Sequence, residues 1–173
     1  MSTTLPELLD NFTVWLDSDR LMGHADIDLP SLDALTEKIK GAGIAGEIDA
    51  PVLGHYAEMS LGINWRTVTP ESIELAAPES HSLTLRGSQQ VYDSSEGSYS
   101  TVPVKIVVKA TPKKTSLGKF AVASNTGTKN EFEVTYIKIY VDGDELLEID
   151  KYNFVCTIDG TDYLESMRDD LGL

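Results

Sequence analysis

The 173-residue chain contains one cysteine, Cys156, so no disulfide can form within it and its core alone has to hold the fold. No histidine lies close to Cys156 in sequence to activate it, and the thiol reads as a small buried hydrophobe. Basic residues are scarce: 14 Lys and Arg stand against 28 Asp and Glu, and the formal charge of −14 repels phosphates and argues against a nucleic-acid clamp. No apolar run approaches the roughly 20 residues that span a bilayer. The opening MSTTLPELLD has no basic segment leading into an apolar one. The expectation is therefore a soluble protein, cytoplasmic where it is made and not inserted in a membrane. A chain of this length is most simply a single domain, residues 1–173, which buries about 70% of its unfolded surface.

Catalytic and metal signatures are also missing. His24, His55 and His81 are far apart and show none of the spacings of zinc ligands. VDGDELLEID is acidic enough to suggest calcium, but counting from Asp142 puts Leu146 and Leu147 where an EF-hand loop needs an oxygen ligand and a glycine. Neither a G-x-S-x-G elbow nor a Walker loop occurs. Carboxylate pairs of glycosidase type are set by distance in space, and 28 acids offer too many pairs for any one to be informative. GAGIAG, Gly41 to Gly46, does spell G-x-G-x-x-G. That pattern cradles a pyrophosphate only between a buried strand and a helix N-terminus. Here LDALTEKIK precedes it, too polar for a central parallel strand, and Pro51 and Gly54 interrupt any helix after it. The stretch reads as a small-residue loop joining two strands. No enzymatic activity, cofactor or metal is expected.

What is present is strand alternation. In HYAEMSLGINWR, Met59, Leu61, Ile63 and Trp65 share one face, while Glu58, Ser60, Gly62, Asn64 and Arg66 share the other. Phe12, Val14 and Leu16 alternate before a turn at Asp17 to Asp19. In VPVKIVVKA, Val104, Ile106, Val108 and Ala110 point inward and Lys105 and Lys109 outward. EFEVTYIKIY and ELLEIDKYNFVCTI read as strands joined by the Asp142-Gly143 turn. QQVYDSSEGSYST reads as polar turn, and 111–130 as a long projecting loop. Thr69 as N-cap, Pro70 at the first position, a Val68/Ile73 staple and Pro78 as a stop predict a short helix over Pro70 to Ala77. Asp162 as cap with Glu165 predicts a terminal helix whose apolar stripe is Tyr163, Leu164, Met167 and Leu171. The fold class expected is mainly β, an antiparallel β-sandwich or barrel with one short internal helix and a C-terminal helix.

Three separated stretches, LPSLDALTEKIKGAGIAGEID, YIKIYVDGDELLEID and NFVCTIDGTDYLESMRDDLGL, taken together resemble the major tail tube protein of contractile-tailed bacteriophages and R-type bacteriocins. The matching positions are Leu29, Pro30 and the Gly41 to Gly46 loop, then Asp142, Gly143 and Glu148 to Asp150, then Leu164, Arg168, Leu171, Gly172 and Leu173. From about Thr67 to Asn130 only the strand pattern matches. The resemblance implies a structural, non-enzymatic subunit that forms hexameric rings, each copy giving two hairpins to one continuous β-barrel around a lumen. The rings would stack with themselves into a tube inside the tail sheath protein, bounded by baseplate and tube-terminating proteins. DNA would pass without specific binding, in a virion or phage-like particle made in the bacterial host cytoplasm. Lumen-facing candidates are Glu58, Ser60 and Asn64 from one strand, Glu37 from its hairpin partner, and Glu131, Glu133 and Thr135 from another, with Lys105 and Lys109 partly offsetting the acids. Gly41, Gly43 and Gly46 are candidates for contacts between subunits or rings, where small residues permit close approach. Two alternatives remain: a β-sandwich binding module for carbohydrate or calcium, which would stay a small particle, and a secretion-system tube protein of the same build.

Overall fold

The computed structural model describes residues 4–173. Its long strands are β1 (Thr4–Leu16), β7 (His81–Asp93), β8 (Ser98–Ser116) and β9 (Thr128–Val141), paired antiparallel in the order β1-β7-β8-β9. The short β2 (Arg20–Leu21) extends the β1 edge. On the far side of β9 two partners divide the strand. β6 (Ser60–Trp65) pairs with its first half, Ser60 opposite Glu133 and Trp65 opposite Thr128, and carries β3 (Ala25–Asp28) on its own outer edge. β10 (Asp144–Asp150) pairs with the second half and continues to β11 (Val155–Ile158) and β12 (Thr161–Asp162). At the junction Lys109 faces Tyr136 but Ala110 faces Val134, so Thr135 is one extra residue on β9. Such a bulge bends a strand and resets which residues point inward. Phe132 and Val134 face the core before it, and Ile137 after it.

The bend lets the β3-β6 flank fold over the β1-β7-β8 flank with a shared interior. Met59, Leu61, Ile63, Trp65 and Phe132 meet Val14, Leu83, Leu85, Val108 and Ala110 in one buried cluster that also holds Ile149, Cys156 and Leu164. The β6 alternation is as the sequence predicts: Met59, Leu61 and Ile63 are fully buried. Asn130 is one of several polar side chains buried there, with Ser72, Thr84 and Thr128. Asn130 accepts from Trp65 Nε1 at 2.8 Å and donates to the Ser72 carbonyl and Thr115 Oγ1, both at 3.0 Å, so its burial leaves no amide atom unmatched.

The internal helix α1 (Pro70–Glu74) starts as expected, with Thr69 accepting from the Ser72 amide and Ser72 Oγ accepting from the Thr69 amide. It ends three residues before Ala77. Leu75, fully buried, anchors it, whereas Val68 and Ile73 are 39% and 49% exposed. The terminal helix α2 (Glu165–Leu171) lacks a side-chain cap hydrogen bond. Asp162 instead accepts from the Leu164 amide at 3.0 Å and pairs with Arg168 at 2.5 Å. Of the predicted stripe, Leu164 is buried and Met167 packs on the core, but Tyr163 and Leu171 are exposed.

Two segments read as loop are strand. QQVYDSSEGSYST is the end of the β7-β8 hairpin, paired without interruption to Asp93 opposite Ser98. Its polar residues alternate on a sheet extension that passes beyond the core. The projecting loop expected over 111–130 is confined to 117–127, because β8 runs to Ser116 and β9 begins at Thr128. Pro112, Lys113 and Lys114 mask the alternation at the end of β8, and a second bulge between Pro112 and Lys114 breaks its period.

Candidate lumen and assembly surfaces

β4 (Ala34–Lys40) and β5 (Glu47–Tyr56) form a separate two-stranded sheet. Lys40 is opposite Glu47, Ile39 opposite Ile48, and Glu37 opposite Ala50. GAGIAG is the tip of this antiparallel hairpin, so neither the parallel strand nor the helix that a dinucleotide site requires is beside it. Gly41, Gly43 and Gly46 have φ of 149°, 94° and 131°, and added Cβ atoms would meet nothing within 4 Å. Within one copy these glycines serve the turn's backbone rather than a close approach. The base of the hairpin is held: the Ala57 amide donates to the Asp33 carbonyl at 2.8 Å, and Tyr56 packs on the core. Its blade is not held, for all seven residues of β4 are exposed.

The predicted lumen residues separate into three places. Ser60 is paired directly with Glu133, and Asn64 with Lys129, on the outward face of β6 and β9. Here the acids are matched by lysines. Glu58 pairs with Lys113, Glu133 lies 3.7 Å from Lys113 and 3.1 Å from Lys151, and Glu131 lies 3.7 Å from Lys129. The hydrogen bond from Lys113 holds the Glu58 carboxyl below its usual range, and Glu58 in turn raises the Lys113 ammonium. Asn64 and then Lys129, donating to Asp28 at 3.0 and 3.2 Å, depress the Asp28 carboxyl in the same way. Lys113, Lys129, Lys151 and Asp28 belong to this network and were not singled out from sequence, because the cross-strand register that joins them depends on the bulges.

Lys105 and Lys109 face outward on the other half of the sheet, over the rings of Tyr140 at 4.0 Å and Tyr136 at 5.3 Å. Beside them Lys138 reaches Glu145 at 2.8 Å and Glu148 at 3.2 Å, and both bonds raise its ammonium. Burial, reinforced by donation to Glu148, pushes the Tyr136 hydroxyl up to about 12. Thr135 is the bulge residue and donates to the Lys109 carbonyl at 3.4 Å. Glu37 stands apart. Its hairpin partner is β5, not β6, so it does not adjoin Glu58, Ser60 or Asn64, and by strand parity it shares a face with Leu35, Ile39, Ile48 and Ala50. The hairpin's wet face is Thr36, Lys38, Lys40, Glu47 and Asp49, with Lys38 bridged to Glu47 at 3.2 Å.

A second exposed element is the sheet extension, made of the start of β1, the end of β7 and the start of β8. Among the described residues, 98–102 of β8 and 5–11 of β1 pair only with β7, so both outer edges are open there. Leu5, Leu8, Leu9 and Tyr99 are each about half exposed or more. Open edges and surface leucines on an acidic chain are features of a surface that another chain covers. Among the described residues, no group of three His, Cys, Asp or Glu comes together as a metal site, and no helix is long and apolar enough to cross a membrane.

Comparison with known proteins gives the same direction. The family described as phage tail tube protein FII matches residues 6–172. The tail tube protein of Escherichia phage P2 is 31% identical over 176 residues, covering 98% of this chain and 99% of that protein. An assembly element that one copy leaves uncovered is what a tube subunit requires, and with a match that runs almost end to end the chain belongs to the phage tail tube protein FII family, whose members are structural components of phage tails.

Proposed function

We propose that six copies of this chain close into a ring, and that the rings stack into the rigid inner tube of a contractile phage tail or phage-like particle. The observation that carries this reading is the pair of unfinished β elements, the open-edged extension and the unsupported β4-β5 hairpin. An isolated two-stranded hairpin is marginal in water. Closing such edges between copies removes them, and a head-to-tail contact that closes gives a ring. Sheath protein would surround the tube, with baseplate and tube-terminating proteins at its ends, and the subunit would be made in the host cytoplasm and end in the virion tail.

For the lumen wall, the wet hairpin face of Thr36, Lys38, Glu47 and Asp49 fits best, with Gly41, Gly43 and Gly46 at the rim. The outward face of β6 and β9, with Ser60, Asn64, Glu131 and Glu133, is the second reading, favoured by its dense polar surface. In both, acids matched by lysines leave a wall to which DNA phosphates do not adhere.

Purified protein at rising concentration, followed by light scattering and negative-stain microscopy, is expected to give six-fold rings and hollow tubes. Persistent monomer under all conditions, including with a tube-initiating partner, refutes the reading. Asp49→Lys and Glu131→Lys tubes, each incubated with short oligonucleotides, separate the two walls: salt-sensitive retention by the Asp49→Lys tubes alone supports the hairpin, and retention by the Glu131→Lys tubes alone supports β6 and β9.

A further inference from the structure

The loop at 117–127 is fastened at its neck and bare at its tip. The Lys119 amide donates to the Thr126 carbonyl and the Thr126 amide to the Arg66 carbonyl, both at 2.9 Å, and Thr128 Oγ1 donates to the Leu117 carbonyl at 3.1 Å. Gly118, with φ +84°, permits this closure, because a Cβ there would lie 2.0 Å from the Thr126 carbonyl oxygen. Beyond the neck Phe120 and Val122 are 90% and 101% exposed, more than any other large apolar side chain among the described residues. Apolar side chains held out on a closed neck lose little backbone freedom when they dock, which favours a contact.

Beside the sheet extension, an open apolar groove of about 200 Å³ is walled by Leu9 and Phe12 of β1, Ile27 of β3, Leu85 of β7, and Val104 and Ile106 of β8. Leu85 and Ile106 belong to the buried core, and Phe12, Ile27 and Val104 pack against it, so the groove is a layer of the core left without its cover. A cavity of about 150 Å³ lined by such side chains holds a benzene ring, and this groove has room for a phenyl ring. Its own loop is out of reach: β8 runs from Ile106 at the groove to Ser116 at the loop, roughly 30 Å of strand. We infer that Phe120, with Val122 beside it, seats in the β1-β3-β7-β8 groove of a second copy in the next ring, making the 117–127 loop the plug and the groove the socket of ring stacking. This rests on the tube reading and adds to it which surfaces join one ring to the next.

Two further observations select a second copy displaced along the tube. Strands of a closed barrel lean by about 35 to 45° from its axis, so the two ends of β8 stand at different heights, and a loop-to-groove contact joins copies in successive rings. Charge permits the approach, since residues 97–130 contain six lysines and no Asp or Glu in a chain of net −14. The loop therefore nears another copy without adding to their mutual repulsion.

Plug and socket are each tested by substitution. Phe120→Ser with Val122→Ser removes the plug at two exposed positions, and Gln89→Trp, at a polar residue lining the groove, fills the socket. Both variants are expected to keep the Tm of the dispersed chain and to form six-fold rings that no longer stack, seen by negative stain as rings without tubes. Tubes of ordinary length, as a loop facing the sheath protein would give, overturn the inference and leave the tube reading standing. Loss of rings together with tubes at unchanged Tm also overturns it, because the contact then lies within a ring. Should Gln89→Trp lower Tm, a cross-link decides the socket. Cys156 is buried, so Val122→Cys with Gln89→Cys adds the two accessible thiols. Tubes treated with a short bis-maleimide are expected to give a ladder of covalent multimers on a denaturing gel, absent from either single variant. No ladder, or a ladder equally strong from unstacked rings, overturns the inference. A natural chain that forms no tubes at all refutes the tube reading and this inference with it.

Discussion

Leu164 joins the C-terminus to the base of the hairpin, and the joint can be tested by a pair of substitutions. Leu164 is 5% exposed and forms part of the wall of a cleft of about 220 Å³ between β5 and the β10-β11 turn. Removing such a side chain costs about 2 to 5 kcal/mol depending on how far the site relaxes. The open cleft beside it lets water and neighbours adjust, so Leu164→Ala is expected near the lower end. At 2 to 4 °C per kcal/mol for a chain of this size, a loss of about 2 to 3 kcal/mol lowers Tm by roughly 4 to 12 °C. Gly54 lies against the same side chain with φ +72°, and a Cβ placed there would be 2.6 Å from Leu164 Cδ2 and 2.8 Å from Cγ. Gly54→Ala alone thus combines a left-handed backbone cost of about 1 to 2 kcal/mol with overpacking of about 1 to 3 kcal/mol. In the Leu164→Ala background the overpacking disappears and only the backbone cost of about 1 to 2 kcal/mol remains. The double variant is expected to lie about 1 to 2 kcal/mol below Leu164→Ala, a coupling of roughly 1 to 3 kcal/mol. Urea denaturation of the four proteins in dispersed form, free of the stabilisation that assembly adds, measures it. Losses that add to within about 0.5 kcal/mol refute the described contact.

Two further outcomes follow from the charge geometry. Glu133→Lys places a third cation between Lys113 and Lys151 and removes the acceptor of the Met59 amide, so it is expected to lower Tm more than Glu131→Lys, which loses an ion pair with Lys129 at 3.7 Å; equal shifts count against the network. Arg168 above all, then the Leu164 amide, depress the Asp162 carboxyl, so the unfolded chain takes up its proton first as pH falls. The stability this contributes is full above the ordinary aspartate value of about 3.9 and is lost as pH falls through the depressed folded value. Hydrogen exchange at α2 should accelerate across that acid window in the natural chain and show no such step in Asp162→Asn.

The inward rows of β6 and of central β8 were legible because each has one face in the core and one in water, so alternation records burial directly. The same logic failed where two bulges change the period. Thr135 continues the Glu131-Glu133 row by simple counting, yet it is the extra residue after which Tyr136 rather than Thr135 pairs across to Lys109. Residues 4–11 were not read as strand because their register shifts between Pro6 and Leu8 and again between Leu9 and Asn11. The grouping of the lumen candidates depends on which strand is the neighbour of which. Glu37 was assigned beside β6, but β5 is its partner and β6 belongs with β3 and β9. The family signal escaped these errors because most of its residues sit at turns and near the C-terminus, and it compares sequence spacing without needing cross-strand register.

The division of β9 between β6 and β10 also has a mechanical meaning. Both flanks of the molecule hang from one continuous backbone, and β9 is paired with β8 from Val141 opposite Val104 to Lys129 opposite Ser116. A load that drags one flank along the strand direction against the other pulls on that long ladder lengthwise. Its hydrogen bonds then share the strain together instead of giving way one at a time from an end. A wall made of such units is stiff along its strands and yields first at the turns.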